Sequence, residues 1–123
     1  MTRAIILFSH GSSDPEWAAP FVALRDRLQQ RDPATPVELA FLPPAAPTFD
    51  HVVAVLAKKH VGEIVVVPLF LARGSHVKVD LPKLIAEASA LHAITFKQLP
   101  VIGDVAVLQD AIADWAMANV LSG

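Results

Sequence analysis

The sequence predicts an α/β fold, a four-stranded parallel sheet of order 2-1-3-4 with helices on both faces. Three observations carry this. Short apolar runs alternate with segments of helical periodicity in the order β-α-β-α-β-α-β-α, the pattern of a parallel sheet with right-handed crossovers. The runs at residues 4–8 (AIILF) and 64–67 (IVVV) contain no polar residue, as expected of central strands covered on both faces. Those at Val37–Phe41 (VELAF) and 94–99 (ITFKQL) alternate and belong at the edges.

The elements follow in order. After the first strand and a serine-rich turn, Trp17, Phe21, Leu24 and Leu28 fall at helical spacing. Asp14 is the expected N-cap, with Pro15 at the first helical position. The helix stops before Asp32-Pro33, and the second strand leads into a rigid connector with Pro43, Pro44 and Pro47. Phe49, Val52, Val53 and Leu56 stripe a second helix that ends on Lys58, Lys59 and His60, cations suited to a carboxyl end, with Gly62 closing it. Beyond the third strand, Gly74-Ser75 forms a turn and places His76 in a loop. Leu81, Leu84, Ile85 and Ala88 mark a third helix, with Asp80 as its cap and Pro82 in its first turn. Val105, Leu108, Ile112 and Trp115 mark the last helix. Helical spacing assigns Trp17 and Trp115 to the core, whereas Phe70 stays open to a ligand role.

With 123 residues the chain is one domain, residues 1–123, able to bury a core without staples. Hydrophobic residues make up 54% and charged residues 18%, which suits a fully covered sheet or a face hidden against a partner. Ten basic and twelve acidic residues are spread along the chain for a net charge of −2, with no basic cluster to recruit nucleic acid. Cysteine is absent, so disulfides, thiolate zinc sites and cysteine nucleophiles are excluded. The apolar run after Arg3 is too short for a signal peptide, and no run approaches the ~20 residues that cross a bilayer. The expectation is a soluble, cytoplasmic protein that engages no membrane.

Strand order locates the site. In open α/β sheets ligands bind at the carboxyl ends of the strands where the order reverses, which here falls between strands one and three. The segments leaving these strands carry His10 and His76 in matching layouts: apolar strand, then glycine and histidine close together. Neighbouring strands lie about 4.8 Å apart, so the two imidazoles can share a ligand or a divalent metal. A lone loop histidine usually just bonds backbone; a matched pair at the reversal favours function. His51, His60 and His92 are assigned structural or solvated places. Ser9, Gly11, Ser12 and Ser13 form a small-residue turn whose amides favour anions, and Arg73 and Lys78 add positive charge beside His76. Asp80, four residues after His76, either orients that imidazole, accepts a proton or caps the helix.

Three blocks then carry a family resemblance: LFSHGSSDP at 7–15, VELAFLPPAAPTF at 37–49 and VVVPLFLARGSHVKVDLP at 65–82. With them the chain resembles, over nearly its whole length, the short class II tetrapyrrole chelatases, the small sirohydrochlorin cobaltochelatases. The resemblance implies a three-layer chelatase-like (flavodoxin-like) domain and ATP-independent insertion of Co²⁺ into sirohydrochlorin for cobalamin or related tetrapyrroles, with Ni²⁺ or Fe²⁺ as alternatives. It implies no organic cofactor, the metal being a substrate. His10 and His76 would bind the metal and remove pyrrole protons. Ser9, Gly11, Ser12, Phe70, Arg73, Gly74, Ser75 and Lys78 would contact a macrocycle that bears eight carboxylates. A homodimer would wall the cleft, because the short members match one half of two-domain relatives. The chain departs from the pattern at Ser13, where many relatives have arginine, and at Pro43, where many have an acidic residue. Competing readings are phosphoryl transfer through His10, for which Ser9 stands where an arginine would be needed, and a non-catalytic metal or tetrapyrrole carrier.

Overall fold

The strands are β1 (Thr2–Ser9), β2 (Val37–Phe41), β3 (Val61–Pro68) and β4 (Thr95–Gln98). The helices are α1 (Ala19–Arg31), α2 (Phe49–Lys58), α3 (Leu81–His92) and α4 (Ala106–Leu121). The computed structural model describes residues 2–121. All strand pairs are parallel, and the sheet order is β2-β1-β3-β4, the expected arrangement. The β1–β3 pair that brackets the reversal is in continuous register from Arg3↔Glu63 to Phe8↔Pro68.

Alternation along each strand sorts the side chains between two cores. Ala4, Ile6 and Phe8 of β1 and Ile64 and Val66 of β3 face α2 and α3, packing with Val53, Leu56 and Leu81. Phe8 is fully buried and meets Phe49 edge-on at 5.9 Å between ring centres and Phe70 at 6.1 Å. Burying a side chain of this size contributes about 1.5–3 kcal/mol. The opposite face gathers Leu7, Val37, Leu39 and Phe41 under Trp17, Phe21 and Leu28.

Local chemistry explains the boundaries. Asp14 accepts from the Glu16 amide and caps a short 3₁₀ turn (Pro15–Ala18) that feeds α1. Thr48 caps α2 by accepting from the His51 amide. Four sequence expectations need correction. Gly62 does not close α2: β3 begins at Val61, and the left-handed residue after the helix is His60, at φ 62°. His76 does not sit in a loop but opens a wide π-helical turn (His76–Asp80) continuous with α3, in which the Leu81 amide donates to the His76 carbonyl. Asp80 is therefore already helical and caps nothing through its side chain. Trp115 is not a core residue: it is 70% exposed, and α4 buries none of its side chains.

Candidate active site

The reversal between β1 and β3 is made by backbone bonds that carry the strand ends outward. The Leu69 amide donates to the Phe8 carbonyl at 2.8 Å, and the Leu42 amide to the Ser9 carbonyl at 3.3 Å. These bonds bring the segments after β1, β2 and β3 to one end of the sheet. Gly11 allows the first to turn back: it has φ 90°, and a Cβ there would collide with the Cβ of Ala45. After β3 the Gly74 carbonyl accepts from the amides of both Val77 and Lys78, and Val77 is buried. The turn is thus pinned with His76 facing outward.

His10 and His76 meet across the reversal, with ring centres 5.2 Å apart and planes inclined at 68°. Each has its Nδ1 engaged. The His10 Nδ1 lies 3.2 Å from the Gly11 carbonyl, and the His76 Nδ1 lies 2.9 Å from Asp80 Oδ2. A carbonyl or carboxylate only accepts, so Nδ1 carries a proton on both rings, and in the neutral ring each Nε2 keeps a free lone pair. Such outer partners fix the tautomer and orientation of metal-binding imidazoles. A metal-bound imidazole holds its ring centre about 3.2 Å from the ion, so two on one metal stand roughly 4.5–5.2 Å apart for bond angles from square to tetrahedral. The observed 5.2 Å lies at the upper end of that range. Among the described residues no cluster of three or more His, Asp or Glu side chains converges on a metal-sized point, so two nitrogens would leave the remaining coordination positions open.

A cavity of about 460 Å³ opens at the pair, lined by His10, Leu42, Pro43, His76, Asp80, Lys83, Leu84 and Glu87. A second lobe of about 290 Å³ continues past Leu42 and Pro43 along Gly11, Ser12 and Ser13. The crevice is therefore walled on one side by the proline connector and on the other by α3.

The other sequence-selected residues divide. Gly11 and Ser12 line the second lobe. Ser9 is only 2% exposed, beneath the crevice, and its hydroxyl finds no partner among the described residues. Phe70 is half-buried against the core. Arg73 pairs with Asp104 at 3.5 Å, both exposed, and neither lines the cavity. Gly74 and Ser75 form the base of the turn, and Lys78 points to solvent outside the lining. Lys83 and Glu87, not selected from the sequence, do line it. Positions 76, 80, 83, 84 and 87 recur at helical spacing, and that stripe was the available signal. Ser13 and Pro43, where the chain departs from its apparent family, both face the crevice.

A profile of the CbiX family matches residues 4–117. The sirohydrochlorin cobaltochelatase of Methanopyrus kandleri is 34% identical over 82 residues, 67% of this chain and 57% of that protein. The protein of the same name from Saccharolobus islandicus is 36% identical over 81 residues, 66% of this chain and 62% of its own. The matched segment thus spans less than two thirds of these curated relatives. Among solved structures, the CbiX protein of Marinobacter aquaeolei VT8 superposes with a TM-score of 0.86 at 31% identity, covering 99% of this chain and 98% of its own. The sirohydrochlorin chelatase SirB of Bacillus subtilis subspecies spizizenii, in complex with cobalt, superposes at 0.73 with 27% identity, over 83% of this chain and 44% of its own.

Proposed function

Because the chain belongs to the CbiX family, we propose that it is a sirohydrochlorin chelatase that inserts a divalent metal, cobalt in the first instance, into the tetrapyrrole. The observation that carries this reading is the facing pair His10 and His76, each with Nδ1 tied and Nε2 free. The metal enters on the two Nε2 atoms and keeps open positions for the pyrrole nitrogens. As bonds to the macrocycle form, those to imidazole break, and two N–H protons must leave for each M²⁺ that enters. The freed Nε2 atoms are the acceptors at hand. Asp80 stabilises the imidazolium that forms on His76, because its carboxylate faces the opposite ring nitrogen. The bond exchange is neutral overall, M²⁺ for two H⁺, and the proposed reaction runs without ATP.

The macrocycle lies in the two-lobed crevice, with Lys83 set to meet one of its carboxylates. Where many relatives place a carboxylate this chain has Pro43, and the acidic groups stand instead on the opposite wall, as Asp80 and Glu87. Two imidazoles accept Co²⁺, Ni²⁺ and Fe²⁺ alike, so the ion used follows supply as well as affinity. The setting is cytoplasmic tetrapyrrole metallation on a cobalamin-type route, with a second copy of the chain closing the cleft; no described helix is long and apolar enough to cross a membrane.

The test is anaerobic incubation of the purified protein with sirohydrochlorin and each ion, followed by absorbance. His10→Ala and His76→Ala should each abolish metallation, and native rates in both variants would sink the mechanism. The proline at 43 favours a second reading, a carrier that binds metal and tetrapyrrole without turnover. Binding of both with no absorbance change beyond the uncatalysed rate would select it.

A further inference from the structure

The two histidines of the pair are held unequally. His76 opens a helical turn continuous with α3, and its ring is tied to Asp80 one turn on. His10 belongs to neither strand nor helix. It follows the last residue of β1 and is exposed, and its ring bonds the carbonyl of the very next residue, Gly11, at 3.2 Å. The aim of its Nε2 therefore depends on where the Gly11 peptide stands.

That peptide is set from behind by the proline connector. The Gly11 backbone, at φ 90°, lies so close to Ala45 that a Cβ on residue 11 would collide with the Ala45 methyl, and it would stand 3.1 Å from the Cβ of Phe41. Glycine at 11 and alanine at 45 thus fill one space between them. Ala45 itself has little freedom. Its amide donates to the Leu42 carbonyl at 3.0 Å, the Leu42 amide donates to the Ser9 carbonyl, and the Phe41 amide closes the connector by donating to the Pro47 carbonyl at 2.9 Å. Pro43, Pro44 and Pro47 stiffen the loop further, since each fixes its own φ. Ala45 is half-buried, packed against the cluster of Leu7, Leu39 and Phe41.

We propose that Ala45 is a positioning residue for the histidine pair: its methyl group is the stop against which the Gly11 peptide rests, and it sets the angle at which His10 meets His76. The size of the side chain is what matters. Glycine at 45 removes the stop. Valine puts carbon at two of the three staggered positions on Cβ and thickens it, whereas serine has a single γ atom that can turn away. The consequence for metal rests on the chelatase reading; the ring geometry does not.

Two measurements test it, one of them free of metal. In the native protein the rings, with centres 5.2 Å apart, should show a nuclear Overhauser effect between their carbon-bound protons, and Co²⁺ should bind in a manner that His10→Ala abolishes. Ala45→Val should erase the ring-to-ring effect and raise the Co²⁺ dissociation constant about tenfold or more, with native circular dichroism. Ala45→Ser should keep both near native. Should Ala45→Val fail to fold, Ala45→Gly decides. It should weaken both signals and make Gly11→Ala less destabilising than it is in the native background. Val53→Ala, on the buried side of α2, is the control for stability alone: it should lower the urea midpoint and leave both signals native. A native chain without the ring-to-ring effect overturns the proposal, as does an effect that survives both Ala45→Val and Ala45→Gly. Equal disturbance by Val53→Ala overturns it too, because lost stability would then account for the change. A native chain that binds no Co²⁺, but loses the ring-to-ring effect on Ala45→Val, upholds the positioning and sinks the chelatase reading.

Discussion

Asp80 stands four residues after His76, with its Oδ2 at 2.9 Å from the imidazole Nδ1. Both side chains are about half exposed, so this contact contributes little to stability; its value lies in aiming one ring. Replacing it with asparagine keeps the shape and removes the charge, and should lower the metallation rate about 10–100-fold while leaving the unfolding midpoint in urea unchanged. Lys83 and Arg73 offer a contrast. Lys83→Ala should raise KM for sirohydrochlorin several-fold, whereas Arg73→Ala should leave it near the native value, because Arg73 already faces Asp104 outside the cavity. Gly11→Ala should cost about 1–3 kcal/mol in urea denaturation, since the backbone at φ 90° is strained for any side chain and Ala45 blocks the space. His10 and His76 were legible because each follows an apolar strand. Lys83 and Glu87 were not, because they reach the crevice from a helix face two and three turns on, and only three-dimensional winding shows that the face points there.

At the scale of elements, the strands could be read and the junctions could not. Uniform against alternating hydrophobicity identified β1 and β3 as central, and from that came the order and the place of the reversal. The π-helical turn left no such trace. A sequence pattern carries a period of 3.6, and one extra residue in a single turn is lost in it. That residue matters to the site, since it sets the angle at which His76 leaves α3. Deleting exposed Val79 should convert the turn to an ordinary helical one and swing His76 by roughly 100° about the helix axis. Circular dichroism should stay native while Co²⁺ binding, followed by calorimetry, is lost. The placing of Trp115 in the core failed for a related reason: apolar spacing reveals that a helix wants cover without revealing whether the fold supplies it.

For the whole molecule, an ion held only by the native state adds stability by mass action. At a hundredfold excess over its Kd, Co²⁺ should raise the unfolding free energy by about 2.7 kcal/mol, measured as a higher Tm that both His10→Ala and His76→Ala erase. The architecture also ranks its own parts. His10 follows β1 directly and His76 opens the turn that joins β3 to α3; β1 and β3 are the longest strands, paired in register through the centre of the sheet, whereas β4 has four residues and α4 buries no side chain. Amide hydrogens of Ile6 and Val66 should therefore exchange only through global unfolding, and those of β4 and α4 through cheaper partial openings. A molecule that has let go of β4 and α4 would still hold His10 opposite His76. Metal capture as proposed would then belong to the last part of the structure to melt, and a partly opened chain would keep hold of its ion.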